Sequence, residues 1–338
     1  MDLKTLCELP GISGREEPVR LAIYNECVDK LGKENVTIDR MGNVIAHLKG
    51  SDENAPRVMI AGHMDEVGLM VISATEDGLL KVCAIGGIDS RVLVSKRVHV
   101  GYGEKRLPGV IGAMAIHQQT AEDRKHVLPI DQLFVDIGAK DRAEAEALAP
   151  AGTPITFDTP FMPFGENKVL VKALDDRIAC YTMLRLLDVK PRYDTWLAFT
   201  TQEEVGCRGA YAAAFRINPD IGIALEGTSA NDVGDIPEHD RVCSLGKGVA
   251  VSFMDRATIA QPEMFAKMLS IAKDAGIPHQ VKMAVAGGND SGPMQSAQTG
   301  ALTCVLSVPC RNIHSPATVC DLRDADAQFE LVKAFLQK

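Results

Sequence analysis

The side chains in this sequence best suited to holding cations or moving protons stand where strand-like runs stop. VMIAGHMDE stops at His63, Asp65 and Glu66, LAFTTQEE at Glu203 and Glu204, and IGIALEG at Glu226, while LTCVLSVPCRNIHS runs on to His314. A further pair, Asp175 and Asp176, opens the helical run that begins near Ile178. Singly, each has an ordinary structural explanation: a hydrogen-bonded histidine, a solvated glutamate pair, an acidic N-cap balanced by Arg177. Together they are harder to explain that way. Ligands of an open α/β sheet bind beyond the carboxyl ends of its strands, so these groups are expected to share one edge. Two imidazoles among several carboxylates suit zinc, cobalt or manganese better than calcium or magnesium.

The spacing has mechanical consequences. In His63-Met64-Asp65 the carboxylate can turn back to accept the second imidazole N–H, fixing the tautomer of His63. Successive side chains at a strand end diverge, so one glutamate of the 203–204 pair can bind metal while the other faces water. Two cations need a carboxylate between them to stay at the roughly 3.5–4 Å that dinuclear hydrolases use.

The elements that must position these groups read as α/β. Residues 18–31 have helical periodicity after the turn PGISGREE, and 37–48 and 57–61 read as strands. From about residue 68 to 164, short β-rich runs are punctuated by Gly and Pro, with one helical piece at 142–149 and an exposed, charged loop at 118–126. Helix–strand alternation then resumes: helix 178–188, strand 195–201, helix 209–217, strand 221–225, strand 248–254, helix 263–275, strands 280–286 and 301–308, and a closing helix 321–337. This predicts a doubly wound, mostly parallel sheet with a small β-rich domain inserted. The division is 1–67 with 165–338 for the catalytic domain, and 68–164 for the insert.

Composition narrows the partners. A net charge of −9 disfavours nucleic acid and anionic membranes. Nine cysteines, an odd number without a CxxC pair, argue against a disulfide framework and a structural zinc knuckle. The start MDLKTLCELPGISG lacks the basic and apolar regions of a signal peptide, and no apolar stretch is long enough to span a bilayer. The expected location is the cytoplasm.

The ordered series LPGISGREEPVR, DRMGNVIAHL, GHMDEVGLMV, GGIDSRVL, LFVDIGAKD, KALDDR, TTQEEVGCRGA, GGNDSGP and RNIHSP resembles the M42 family of glutamyl and TET-type metallo-aminopeptidases along nearly the whole chain. The resemblance implies a zinc-exopeptidase-like fold and two divalent ions per subunit, zinc or cobalt. His63 and Glu226 would bind one ion, Asp175 would bridge, and Glu204 and His314 would complete the second site. Glu203 would be the general base for a water bridging the metals, and Asp65 would orient His63. A cis Asp175–Asp176 peptide is also implied. So is a dimerisation role for the insert, in homo-oligomers built from dimers up to a tetrahedral dodecamer. Many members place Asp where this chain has Glu226, which leaves Asp232 as a competing ligand.

Other readings share parts of this pattern. Carboxypeptidases and aminoacylases have similar metal ligands, so only the full-length match separates them. A glycoside hydrolase usually adds aromatic platforms, and one Trp with 5% aromatic residues supplies few. A non-catalytic scaffold would have lost at least one of the core groups, and none is missing. The side chain accepted from the peptide is not legible. Loops around 228–241 and 287–293 are expected to shape its pocket; Arg241, Lys247 and Arg256 would favour an acidic first residue if they lined it, but they read first as ordinary surface charges.

Overall fold

The computed structural model describes residues 1–103 and 106–338. The chain opens with helices α1 (Leu3–Glu8) and α2 (Glu17–Leu31), then strands β1 (Val36–Ile38), β2 (Val44–Leu48) and β3 (Val58–His63). The run expected as one strand over 37–48 is a hairpin. The Asp39 carboxylate accepts the N–H groups of Met41 and Asn43 at 2.9 and 3.0 Å, and Gly42 takes φ 93°. Such a turn needs an Asx side chain and a residue free to adopt positive φ.

The chain then builds a closed barrel from β4 (Gly68–Ala74), β5 (Leu80–Ile85), β6 (Arg97–Val100), β7 (Leu107–Gly112), β8 (Phe134–Asp136) and β9 (Pro154–Phe157), in the order β4-β5-β8-β7-β6-β9. Alternate residues such as Leu69, Val71, Val82, Val98, Val100 and Val135 fill it. Helix α3 (Arg142–Leu148) buries Ala145 against this core. The segment 118–126 lies on the surface as short turns.

The second half contributes β10 (Met162–Pro163), β11 (Lys168–Val171), α4 (Leu174–Leu186), β12 (Thr195–Thr200), α5 (Arg208–Ile217), β13 (Ile221–Ser229), β14 (Val249–Ser252), α6 (Pro262–Asp274), β15 (His279–Val281), α7 (Ser291–Ser296), β16 (Leu302–Arg311), β17 (Thr318–Asp321) and α8 (Leu322–Gln337). With β1 to β3 these strands form an 11-stranded sheet, ordered β1-β2-β12-β3-β13-β16-β17-β11-β10, with β14 paired to β16 and β15 to β14. The sheet is mixed, which corrects the mostly parallel expectation. Strands β12, β3, β13 and β16 run parallel, whereas β1, β2, β17, β11 and β10 are attached antiparallel. Antiparallel neighbours need only a tight turn, so they add width without a crossover helix. The short strands β11 and β17 and the helices α1 and α7 were not anticipated, because pieces of four to six residues carry little periodicity.

Period-2 alternation places helices on both faces. Val58, Ile60, Leu197, Phe199, Ile223 and Leu225 meet α2, α4, α6 and α8 through Ile23, Met183, Met268 and Phe335. Met59, Ala61, Ala198 and Ala224 face α5 and α7 through Ala213, Ala214, Ile217 and Met294. The small residues of α5 let it lie close. The parallel strands are buried on both sides, so their carboxyl ends are rigid mounts. Among the described residues no helix is long and apolar enough to cross a membrane, and all nine cysteines are free thiols.

Candidate metal centre

Adjacent parallel strands deliver the first groups. His63 ends β3 and pairs in register with Thr200 at the end of β12, after which Gln202 at φ 56° turns the chain into Glu203 and Glu204. Glu226 sits on β13 opposite Ser307 of β16. Asp175 and Asp176 lie at the start of α4, where backbone angles depart from helical and the peptide between them is cis. His314 follows β16 in a left-handed turn at φ 54°.

These groups converge on a cavity of about 610 Å³ lined by His63, Asp175, Glu203, Glu204, Glu226 and His314. Asp175 faces both imidazoles: Oδ1 is 3.5 Å from His63 Nε2 and Oδ2 is 3.1 Å from His314 Nε2. Glu226 and Glu203 each approach His63 Nε2 at 3.8 Å, and Glu204 lies 3.7 Å from His314 Nε2. A larger cavity, about 820 Å³ beside Glu8, His99 and Arg106, contains none of these groups.

Both histidines are oriented through the other ring nitrogen. His63 Nδ1 lies 3.0 Å from the carbonyl oxygen of Asp65, and His314 Nδ1 lies 2.9 Å from that of Gly87. A carbonyl can only accept, so each Nδ1 carries a proton, and Nε2 is the nitrogen turned to the carboxylates, able to bind an ion once it gives up its own proton. The carboxylate of Asp65 stands 3.4 Å from His63 Nδ1, farther than its own carbonyl. The expected turn back onto the imidazole is thus made mainly by the backbone. The side chain does other work: it accepts from Ser13 Oγ at 2.6 Å and from the N–H groups of Glu203 and Glu204 at 3.0 and 3.2 Å.

The N-terminal turn belongs to this framework too. Glu16 accepts the N–H of Gln202, and Glu66 accepts that of Gly11 while pairing with buried Lys172 at 2.8 Å. Arg177, fully buried, donates to the carbonyls of Met64, Leu6 and Leu9. LPGISGREE was legible as a turn, but its role in fixing the glutamate pair depends on contacts distant in sequence.

Several groups were missed or differ in position. Asp176 is fully buried and accepts the His63 N–H at 3.1 Å, and its carboxylate lies within 4.8 Å of the His63 and Glu226 donor atoms. Asp290, in the GGNDSGP run, is buried against Thr200 and clusters with Glu203 and Cys207. An acidic residue in a glycine-rich loop was its one sequence signal. Asp232 is engaged elsewhere, held by Arg311 at 2.6 and 2.9 Å and by the Leu245 N–H.

The electrostatics describe a site built for positive charge. Burial pushes Glu203 up to about 8, against the pull of His63, and Glu204 up to about 7, aided by Asp175. Burial also drives Glu226 well above the usual carboxylate range. Burial opposes ionisation of Asp175 as well, but hydrogen bonds from His314 and His63 outweigh it and hold this carboxyl low. Glu204 Oε1 and Glu226 Oε1 are buried without a hydrogen-bond partner among the described residues. Crowded carboxylates with orphaned oxygens beside two imidazole nitrogens form a donor set that divalent transition ions fit.

A family model described as M42 glutamyl aminopeptidase matches residues 42–331. The chain is 37% identical over 346 residues to the lysyl aminopeptidase of Pyrococcus furiosus, covering 99% of this chain and 96% of that protein. It is also similar to aminopeptidase APDkam598 of the archaeon Desulfurococcus kamchatkensis, with a TM-score of 0.94 and 34% identity over 99% of this chain and 93% of that one. The TET1 peptidase of Pyrococcus horikoshii, which can assemble into a tetrahedron or a large octahedral shell, is similar at a TM-score of 0.86 and 30% identity, covering 99% of this chain and 98% of that one. Fold, site and these matches define a metal-dependent aminopeptidase, a hydrolase of peptide bonds. Within that class the chain belongs to the M42 family.

Proposed function

We propose that the protein removes N-terminal residues from peptides with two divalent ions, zinc or cobalt. The observation that carries this reading is Asp175, whose two oxygens face His63 and His314 separately. His63, Asp175 and Glu226 would hold one ion, and Asp175, Glu204 and His314 the other. When bound, such ions polarise the scissile carbonyl and make water acidic enough to ionise near neutral pH.

Glu203 is not needed as a ligand and faces the same cavity. Its carboxylate takes a proton from the attacking water as oxygen bonds to the carbonyl carbon, then gives that proton to the departing amine nitrogen as the C–N bond breaks. Asp65 holds the Glu203 and Glu204 backbones in place. The barrel spanning the inserted segment 68–164 is proposed as a dimerisation domain, with dimers assembling towards a tetrahedral dodecamer, and the cytoplasm as the setting.

The test separates an exopeptidase from a general amide hydrolase. Metal-loaded protein should trim Leu-Gly-Gly from its N-terminus and leave N-acetyl-Leu-Gly-Gly intact, because an enzyme built to bind a polar group rejects analogues lacking it by ~10⁴-fold or more. Deacetylation of acetyl-Leu, or release of the C-terminal Gly from the blocked peptide, would favour the aminoacylase or carboxypeptidase reading.

A further inference from the structure

The two oxygens of the Glu203 carboxylate have different neighbours. Oε2 stands 3.8 Å from His63 Nε2, on the side where Asp175 faces both imidazoles. Oε1 accepts the S–H of Cys207, with the sulfur 3.4 Å away. Among the described residues this is the one hydrogen bond made to the Glu203 carboxylate.

The thiol is held where it stands. Cys207 follows Glu203 by four residues in QEEVGCRGA, and the chain between them closes into a turn. The Gly206 and Cys207 N–H groups both donate to the Glu203 carbonyl, at 2.8 and 2.9 Å. Cys207 takes φ 52° just before α5, and its half-buried side chain lines the cavity with Glu203. Burial, with Asp290 and Glu203 close by, pushes the thiol above its ordinary range, so it keeps its proton and donates. Asp290, which clusters with this pair, is itself engaged by the Thr200 hydroxyl.

A general base must keep one oxygen turned towards the water it deprotonates. The last torsion of a glutamate is broad and two-fold, so an untethered carboxylate exchanges its oxygens and samples many planes. A donor fixed on one oxygen restricts that rotation. We propose that Cys207 is a positioning residue for the base: its S–H anchors Glu203 Oε1 and leaves Oε2 as the oxygen that takes the proton. The inference rests on the reading of Glu203 as the base and adds the group that aims it. Sulfur forms no bond to substrate and exchanges no electrons.

The experiment measures kcat and KM on Leu-Gly-Gly, with metal content, for the metal-loaded wild type, Cys207→Ala, Cys207→Ser, Glu203→Gln and the double variant. Loss of one hydrogen bond corresponds to roughly 3- to 10-fold. Cys207→Ala should lose kcat by that factor with KM and metal content unchanged. Cys207→Ser keeps a donor on a shorter bond and should lose less. In the Glu203→Gln background Cys207→Ala should have no further effect, because no carboxylate base remains to be aimed. A merely structural cysteine would cost the same factor in both backgrounds. Equal factors, an unchanged kcat in Cys207→Ala, or a loss that appears in KM or metal content would overturn the assignment. Wild-type kcat in Glu203→Gln would instead defeat the base reading beneath it.

Discussion

Glu203 and Glu204 are neighbours in sequence with separate proposed tasks, and substitution can distinguish them. Glu203→Gln keeps the shape and removes the proton acceptor, so kcat should fall by roughly 10²–10⁴-fold with metal content nearly unchanged. Glu204→Gln removes a charged donor beside His314 and should lower metal occupancy, read by elemental analysis. The reverse pattern would exchange their roles. Glu226 and Asp232 separate in the same way. Glu226 approaches His63 Nε2 at 3.8 Å, whereas Asp232 is spent on Arg311. Glu226→Ala should empty one site and abolish most activity. Asp232→Ala should retain both ions and lose roughly 1–3 kcal/mol of stability in denaturant titration, because Arg311 loses a charged partner. Residue identities at the strand ends were legible from the sequence, since chemistry follows side-chain type. The carbonyls of Asp65 and Gly87 that orient the imidazoles were not. They depend on where backbone and loops come to rest, which no local pattern encodes.

At the scale of elements, the parallel core was legible because β3, β12, β13 and β16 are long, apolar and flanked by turn residues. Its antiparallel extensions were not, because β17 and β11 span four residues each. Close approach between elements leaves its own mark in glycine. A Cβ on Gly209, in the first turn of α5, would stand 2.5 Å from the Thr201 carbonyl oxygen and 2.3 Å from Asn43 Oδ1. Asn43 Oδ1 accepts the Thr201 N–H, and the Asn43 amide donates to the Gly209 carbonyl, so three elements meet there. Gly209→Ala should cost at least ~1–3 kcal/mol, the range of overpacked cores, measured as a lower denaturation midpoint. An unchanged midpoint would mean that α5 can slide away from β12.

For the molecule as a whole, the barrel and the sheet keep separate cores, one around Leu69 and Val135 and the other around Ile60 and Phe199. A barrel with its own core can serve as an interface without disturbing the catalytic sheet. Light scattering at micromolar concentration should therefore find a large homo-oligomer, and a single subunit would contradict the assembly proposed.

The separation of the two cores is nevertheless incomplete, because Gly87, which follows β5 of the barrel, carries the carbonyl that fixes the His314 tautomer. That contact couples the barrel's seating to the orientation of the second imidazole. By linkage, whatever stabilises the seated barrel would raise the affinity of His314 for the ion proposed there, and ion binding would return the same free energy to the seating. A subunit joining the assembly through its barrel would thus acquire its catalytic cation more readily, and enclosure and activation would arrive together.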